Sequence, residues 1–407
     1  MRVLTGWTAR LRLRTDREVA AALAVIALAV YLALIVGHQT QWDYFGRLAE
    51  ALWQGRYWLE GAPLGELDPG RGGHLYNIQP PGPTLLLLFL VPFGSSGQIE
   101  VFLAAALGAL TAVPQYLALR ALTVPRALAI WCTVFALFGT VLWYTAIDGR
   151  SWFTANVVGS FFACVGLWLA ATRRSPVLIG LAIGMAALSR TPIGLAGPGL
   201  LLLARRDPSS LRELPRALML FALGVAPFAA IQGVYDYARW GDPFLIYGPQ
   251  SRDFAQGTFP RGPVSLSYVP RHIMAIFFSS PAFVDNQFFF LRPRAVGMAV
   301  LMGSPAFLWL ARAAQVAWSA PPWRALVLCL LPVALPEFLL ALWGADQYGY
   351  RYSLDYQPFL IALTAVGASW GKAGWGAVPQ LFRFAVVLSL ALTAYFLAAI
   401  KLYGFAQ

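Results

Sequence analysis

Acidic residues that follow apolar segments are the side chains of this sequence with the clearest capacity for chemistry. Asp43 lies in the polar and aromatic stretch 38–47, directly after the first apolar run, and Trp42 precedes it. Asp148 ends a later apolar segment. A carboxylate near a membrane surface can act as a general base on a hydroxyl or amine group that displaces a lipid phosphate. The two carboxylates could therefore converge on one acceptor or one divalent metal ion.

Both acidic residues also have a structural interpretation. Phe45, Leu48 and Leu52 share one face of a helix beginning at Asp43, and an amphipathic helix of this kind lies along the membrane interface. Asp43 could simply cap the N-terminus of that helix. Asp148 could be a solvated loop residue paired with Arg150, an interaction that contributes little free energy. The residue pattern alone leaves these alternatives open.

Two arginines are candidates for binding a phosphate group. Arg190 lies between two short apolar halves, and an arginine at membrane depth needs a partner. Arg351 stands between Tyr350 and Tyr352. Its planar guanidinium suits phosphate oxygens, and the tyrosines can add hydrogen bonds or stacking. A pair between Arg351 and Asp355, at helical spacing, is the structural alternative.

The segment 38–98 is predicted to be a first outer loop. Its part at 83–93 has only about 11 residues, too few to cross a bilayer, and is expected to be an interfacial or re-entrant piece. Within this loop, Trp42 and Gln79 are candidates to position an acceptor.

The segment 235–294 is predicted to be a second long outer loop. Arg271 is a further candidate for phosphate binding, and His272 for positioning an acceptor. Aromatic runs beside arginines fit a polyprenyl-phosphate site, but the more common explanation is anchoring among lipid headgroups. Glu337, inside an apolar segment, is a functional candidate because ionisable groups at membrane depth rarely lack a role.

Composition indicates which elements hold these residues. The chain has 407 residues, of which 59% are hydrophobic and 12% charged, and its mean hydropathy is +0.63. A soluble globular protein carries about 25% charged residues. Several apolar windows are long enough to cross a bilayer as helices, whose backbone groups are satisfied internally. The sequence therefore predicts an all-α polytopic membrane protein, with residues 1–407 forming a single membrane domain.

Charge and motifs exclude several other classes. The net charge of +12 comes almost entirely from arginines scattered in short loops, which the positive-inside rule explains better than nucleic-acid binding does. The three cysteines lie inside apolar segments and form neither a disulfide framework nor a metal-binding spacing. The sequence has no P-loop, HExxH motif or serine nucleophile elbow. Any reaction must therefore use an activated donor that already resides in the membrane.

The apolar pattern predicts about 11 membrane helices with a cytoplasmic N-terminus, because arginines cluster before the first apolar run. That run is expected to be a retained helix rather than a cleaved signal peptide. The predicted helices are at about 19–37, 99–119, 127–145, 152–172, 176–204 as two short halves, 217–234, 295–311, 325–343, 352–370 and 384–403. This arrangement places both long loops on the outer face and the C-terminus outside.

The arrangement resembles the GT-C superfamily of membrane glycosyltransferases. An arginine-rich N-terminus and a first helix are followed by Asp43, an interfacial helix and the Pro80-Pro81 pair, with Asp148 after the third helix and Tyr350-Arg351-Tyr352 further on. The branch that looks most similar is that of the protein O-mannosyltransferases and lipid A aminoarabinose transferases. The resemblance covers most of the chain in topology but only these positions in specific residues.

The resemblance implies a polyprenyl-phosphate sugar donor and an inverting transfer on the extracytoplasmic face, in a bacterial inner membrane. It implies that Asp43 is the base and Asp148 the second acid. Basic residues would contact the lipid phosphate, a role that falls to Arg351 and also to Arg190 and Arg271. The chain departs from the branch at Gln79, where relatives often have a lysine on the phosphate. The resemblance then implies that His74 or an arginine supplies this contact.

The sequence therefore predicts a membrane glycosyltransferase whose acceptor is a lipid, a glycan or a protein. Its partners would be the polyprenyl-phosphate sugar and membrane lipids, with no nucleic acid and no certain cofactor, although a divalent metal ion is compatible with the pattern. One alternative is a transporter or flippase of lipid-linked saccharides, which needs ionisable groups along a path through the bilayer. Another is a lipid-binding subunit of an envelope assembly that has no catalytic activity.

Overall fold

The computed structural model describes residues 15–205, 213–245, 261–262, 264–285, 288–342, 344 and 346–406, and about 70% of it is helical. The arginines before Thr15 and the centre of the predicted second loop lie outside the described residues. The helices are α1 Asp16–Ile35, α2 Tyr44–Trp53, α3 Gly82–Leu87, α4 Ser96–Leu110, α5 Ala112–Ala121, α6 Arg126–Phe138, α7 Val141–Asp148, α8 Ser151–Ala171, α9 Pro176–Ser189, α10 Gly197–Ala204, α11 Leu214–Trp240, α12 Val269–Ile273, α13 Val300–Gly303, α14 Leu310–Val316, α15 Pro321–Glu337, α16 Ser353–Ser369 and α17 Gln380–Tyr403.

Three antiparallel pairs of very short strands accompany the helices in the described residues. They are β1 Leu67–Pro69 with β2 Leu75–Asn77, β3 Ala282–Phe283 with β4 Leu291–Arg292, and β5 Trp370–Gly371 with β6 Gly374–Trp375. Short 3-10 turns also occur, among them Leu64–Glu66 before β1 and Thr191–Ala196 after α9. The strands only fasten loops, so the fold is essentially helical, as the sequence predicts.

Within the described residues, five helical stretches are long and apolar enough to cross a membrane, and a sixth is added if the bent pair α6 and α7 counts as one span. The five stretches are Asp16–Ile35, Ser96–Ala121, Ser151–Ala171, Leu214–Trp240 and Gln380–Tyr403. This finding supports a helical membrane protein, but it does not confirm the predicted count of about 11 helices. The shortfall arises because several predicted spans are short or broken, as between α6 and α7, which are bent by 47°.

The predicted helix at 295–311 does not form as one element. Met298 instead forms a backbone bridge with Gly349, and only short helical pieces follow, including α13 and the 3-10 turn Pro305–Trp309. Ser304 lies outside the helical region, with φ −137° and ψ 63°, because a residue before proline is disfavoured from helical geometry. The prediction of a single helix at 295–311, made from apolar composition, is therefore wrong.

The predicted halves of 176–204 form α9 and α10, with Arg190 at the end of α9 and a 3-10 turn between the helices. The predicted non-spanning piece at 83–93 forms α3 and the 3-10 turn Val91–Phe93. Both elements are too short to cross a bilayer, in agreement with the sequence analysis.

The buried centre of the structure lies along α8. About 72% of its apolar window is buried, and it packs against α4, α5, α9 and α16. By contrast, only 6% of the apolar window of α11 is buried, and this helix packs mainly along α9. A helix that is apolar and exposed on most of its circumference is typical of a membrane span facing lipid. The candidate functional residues are therefore expected at the buried contact between segment 38–98 and α8.

Helix α2 packs very closely against the start of α4. A Cβ atom added at Gly46 would lie 2.6 Å from the backbone oxygen of Ser96 and 2.9 Å from its Cβ. Backbone atoms cannot yield as a flexible side chain can, so this crossing requires glycine. Because Asp43 directly precedes α2, the contact also fixes the position of that carboxylate relative to α4.

Gly46→Ala is expected to push α2 away from α4 and to lower the free energy of unfolding by about 1–3 kcal/mol, the usual effect of overpacking. Thermal unfolding in detergent measures this change. Gly233→Ala is the matched control, because the nearest atom to an added Cβ there is 3.7 Å away. Equal midpoints for the two variants would contradict the close packing of α2 on α4.

Candidate active site

A cavity of about 590 Å³ opens where the ends of four helices meet. It is lined by residues 38–43 and 95–97 together with Arg47, Asp148 and Arg150. These residues belong to the connection from α1 to α2, the start of α4, the end of α7 and the entry to α8. The structure thus brings the predicted residues Trp42, Asp43 and Asp148 to one polar cavity, although they lie about a hundred positions apart in the chain.

Asp43 is almost fully buried, with 2% of its surface exposed, and its two carboxylate oxygens have different partners. Oδ1 accepts a hydrogen bond from Nε of Arg47 at 2.6 Å, and Oδ2 accepts one from the Ser96 hydroxyl at 2.6 Å. Although Asp43 directly precedes α2, its side chain makes no capping hydrogen bond to that helix. The capping interpretation is therefore wrong. A carboxylate has further lone pairs beyond these two bonds, so it can still accept a proton from a group in the cavity.

Asp148 lines the same cavity but is tied to an arginine. Nε of Arg150 donates to its Oδ1 at 2.6 Å, and Nη2 donates to its Oδ2 at 3.0 Å. Arg150 also reaches Asp346 at 3.2 Å. Burial alone would lower the pKa of Arg150, but the Asp148 carboxylate raises it above its usual value. Asp148 therefore forms the pair with Arg150 that is the structural alternative to a chemical role, and this pair lies at the cavity wall.

A second charged group lies between α9, α15 and α16. Nε of Arg190 is 2.8 Å from Oδ2 of Asp355, and its Nη2 is 3.6 Å from Oε1 of Glu337. Asp355 and Glu337 are fully buried. Arg190 therefore has the partners that an arginine at membrane depth requires, and Glu337 faces inward to the same group.

Arg351 is also buried, but it lacks a carboxylate partner within 4 Å among the described residues. Its Nη1 donates to the Trp152 carbonyl at 3.0 Å and to Oδ1 of Asn156 at 3.4 Å, while its Nε is buried without a hydrogen bond. The predicted pair with Asp355 is wrong, because that carboxylate already accepts bonds from Arg190 and Asn156. Burial lowers the pKa of Arg351, although a guanidinium keeps its proton at neutral pH.

Tyr352 connects the two arginines. The guanidinium carbons of Arg190 and Arg351 each lie 5.0 Å from the centre of its ring. A cation over an aromatic face is attracted by the electron density of the ring. Two cations therefore lie against one ring. Asp355 and Glu337 are ion-pair partners of Arg190, so their negative charge offsets mainly that arginine.

Glu66 extends this group into segment 38–98. Gln79 donates to its Oε2 at 3.2 Å. Burial raises the pKa of the Glu66 carboxyl, while the bond from Gln79 and the positive charge of Arg351 oppose the rise. Gln79 thus belongs with the arginines rather than with the Asp43 cavity. Sequence analysis missed Glu66, because nothing local distinguishes it from other acidic loop residues.

Trp152 links the arginine group to the Asp43 cavity. Its backbone carbonyl accepts the bond from Arg351, and its ring centre is 5.7 Å from that of Trp42. Trp42 is adjacent to Asp43 in the chain and lines the cavity. The two groups of polar residues are therefore connected through one pair of packed tryptophans.

His74 and Arg271 do not line the cavity. His74 is exposed and stacks on Trp58, with ring centres 4.2 Å apart. Arg271 donates to the Ala341 carbonyl, between α15 and α16, and lies over the Tyr268 ring. These contacts hold both residues away from the cavity.

His272 is fully buried between the hydroxyl of Tyr350 and the Leu340 carbonyl, each at 2.9 Å. A carbonyl only accepts, so Nε2 carries the hydrogen and Nδ1 accepts from Tyr350. Burial lowers the pKa of this imidazole, which favours its neutral form. Both His272 and Tyr350 therefore support the segment before Arg351 and do not line the Asp43 cavity.

The sequence pattern is compatible with a divalent metal ion. Within the described part of the chain, no three or more His, Cys, Asp or Glu side chains are grouped so that they could hold a metal ion. Asp43 and Asp148 meet at the cavity only as a pair, and each already has an arginine partner.

No protein-family model matches the chain, and no curated protein sequence matches it. The chain is similar in structure to the oligosaccharyltransferase of Archaeoglobus fulgidus in its apo form, with a TM-score of 0.49 and 15% sequence identity. The match covers 95% of this chain and 56% of that enzyme, so the chain spans little more than half of its length.

The raised pKa of Glu66 predicts a pH dependence of stability. The folded protein keeps this proton at pH values where the unfolded chain has lost it, so raising the pH above the ordinary glutamate pKa should reduce stability. Glu66→Gln removes that contribution and should flatten the decline of the unfolding midpoint between about pH 4 and pH 7. Glu213→Gln, on an exposed residue, is the control. An unchanged slope in Glu66→Gln would refute this assignment.

Proposed function

We propose that this protein is an integral membrane glycosyltransferase that moves a sugar from a polyprenyl-phosphate donor to an acceptor bound in the Asp43 cavity. The proposal rests on the position and the hydrogen bonds of Asp43. Its carboxylate lines a polar cavity, held by Arg47 and Ser96, and is not used to cap its own helix. A cavity of about 590 Å³ is within the size range of ligand sites.

In the proposed reaction, the acceptor oxygen or nitrogen attacks the anomeric carbon of the sugar. The bond from that carbon to the phosphate oxygen breaks on the opposite side, so the configuration inverts. Asp43 takes the proton of the acceptor, and the polyprenyl phosphate leaves with the bonding electrons. Arg47 and Ser96 fix the carboxylate in place, because a general base must lie within hydrogen-bond reach of the proton it takes.

Arg351 is proposed to contact the departing phosphate. It is a buried cation without a carboxylate partner within 4 Å in the described residues, and its Nε has no hydrogen bond. A phosphate oxygen would satisfy both the charge and the free donor. Such a cation stabilises the negative charge that develops as the sugar leaves. Tyr352 would hold Arg190 close by, and Trp152 connects this group to the cavity.

The Asp148 to Arg150 pair is proposed to shape the acceptor side of the cavity. Arg150 is held by Asp148, by Asp346 and by the hydroxyl of Tyr144 at 2.8 Å. A guanidinium fixed at three points presents a rigid donor at the cavity wall. We place the transfer on the extracytoplasmic face of a bacterial inner membrane, with a lipid, glycan or protein as the acceptor.

One observation favours a second candidate function. The buried group of Arg190, Glu337 and Asp355 resembles the ionisable groups that line paths through transport proteins. A transporter or flippase of lipid-linked saccharides would move its substrate across liposomes without consuming it. Transfer by the purified protein, with release of free polyprenyl phosphate, separates the two functions.

Asp43→Asn is expected to lower the rate of sugar transfer by about 10²–10⁴-fold while leaving donor binding intact, because an amide cannot take the acceptor proton. Transfer from a radiolabelled polyprenyl-phosphate sugar by purified protein measures the rate. Glu50→Gln on the same interfacial helix is the control, since Glu50 does not line the cavity. Full activity in Asp43→Asn would rule out this mechanism.

Arg351→Met should weaken donor binding and raise the KM for the donor, because it removes the proposed phosphate contact while keeping an unbranched side chain. A charge-assisted hydrogen bond of this kind contributes about 1.5–3 kcal/mol. Binding of polyprenyl phosphate to the purified protein provides the direct measurement. Arg324→Gln, at an exposed position of α15, is the matched control. Equal donor affinity in the two variants would contradict the role of Arg351.

A further inference from the structure

The N-terminal turn of α2 is capped by residues from other helices. The N–H of Tyr44 donates to the Ser151 hydroxyl at 2.8 Å, and the N–H of Gly46 donates to Oε2 of Glu100 at 2.9 Å. Ser151 opens α8, and Glu100 lies in the first part of α4. The first backbone donors of a helix have no partner inside it, so these bonds satisfy groups that would otherwise be buried and unpaired.

The Gly46 N–H is the donor that Asp43 would ordinarily use. With Asp43 at the N-cap, Tyr44, Phe45 and Gly46 are the first three helical positions, and an N-cap aspartate accepts from the second or third of their N–H groups. The carboxylate of Glu100 accepts from the third of these N–H groups, that of Gly46. Its carboxylate therefore stands where the carboxylate of Asp43 would otherwise turn.

The same stretch of α4 also holds Asp43 in its actual position. Ser96 lies four residues before Glu100, so the two side chains share one face of the helix. Ser96 donates to Asp43, while Glu100 accepts from Gly46. Glu100 is fully buried and does not line the cavity, so it does not touch a bound acceptor. A buried acid in an apolar helix is costly, which argues for a role that a nonpolar residue cannot fill.

We infer that Glu100 is a positioning residue: it caps α2 in place of Asp43 and thereby keeps the Asp43 carboxylate directed into the cavity. The inference rests on the proposed function of Asp43 as the base. Without an acceptor at position 100, the unpaired N–H groups in the first turn of α2 attract the nearest carboxylate, which is that of Asp43. The base would then leave Ser96 and Arg47 and turn away from the acceptor.

The experiment compares three substitutions of Glu100 in the full-length protein. Glu100→Gln keeps an oxygen that accepts from Gly46, and its kcat should stay within a few fold of the wild-type value. Glu100→Met has a similar length without an acceptor, and Glu100→Asp keeps the charge but is one methylene too short. Both should lower kcat by about 10²-fold with little change in KM, as expected when a catalytic group is displaced by about 1 Å.

A double-mutant cycle on the thermal unfolding midpoint supplies a readout that does not depend on catalysis. If Asp43 takes over the cap when Glu100 is replaced, Asp43→Ala should lower the midpoint more in the Glu100→Met background than in the wild type. If Glu100→Met does not fold, the same cycle is run with Glu100→Asp. Equal effects of Asp43→Ala in both backgrounds would overturn the cap exchange.

The outcomes separate this inference from the proposed function. If Asp43→Asn abolishes transfer while Glu100→Met and Glu100→Asp keep the wild-type kcat, Glu100 has only a structural role and the inference is wrong. If Asp43→Asn transfers sugar normally, the proposed base is wrong, whereas the stability cycle still decides whether Glu100 prevents Asp43 from capping. A loss of kcat in Glu100→Gln equal to that in Glu100→Met would also overturn the inference.

Discussion

The close crossing of α2 and α4 is the constraint on which the candidate site depends. Because residue 46 is glycine, the backbone of α2 reaches the start of α4, and this contact brings Ser96 and Glu100 to the first turn of α2. One face of α4 then has two roles. Glu100 accepts a hydrogen bond from the first turn of α2, and Ser96 donates one to the Asp43 side chain. An aspartate at the start of a helix is ordinarily a cap, and here the packing of a second helix leaves its carboxylate for the cavity.

The two arginines beside Tyr352 differ in their partners. Arg190 has carboxylates within 4 Å, whereas Arg351 has none among the described residues. Asp355 and Glu337 lie against Arg190, and Asn156 occupies the other oxygen of Asp355. Arg351 is left with neutral acceptors, since its Nη1 donates to a carbonyl and an amide oxygen. A buried cation without a carboxylate in direct contact is costly unless a ligand supplies the negative charge. This imbalance is the physical basis for assigning a phosphate group to Arg351.

Sequence analysis predicted the helical membrane fold and the meeting of Asp43 with Asp148, because both acids follow apolar helices and the helix ends converge. It did not predict the broken region around Ser304, where a proline and a backbone bridge override apolar composition. The alternative that it left open, a pair between Arg351 and Asp355 at helical spacing, is not formed, because the partner of Asp355 is Arg190 at the end of α9. Glu100 could have been noticed as an acid in an apolar segment, by the reasoning applied to Glu337. Its bond to Gly46 depends on the packing of α2 against α4, which spacing along the chain does not encode.

We propose that the Asp43 cavity and Arg351 serve one reaction. An experimental structure of the protein with an unreactive polyprenyl-phosphate sugar analogue tests this directly. We expect the phosphate to contact Arg351 and the anomeric carbon to face the cavity, where an acceptor group fits within hydrogen-bond reach of Asp43. A phosphate bound away from Arg351, or an anomeric carbon more than about 15 Å from Asp43, would contradict it.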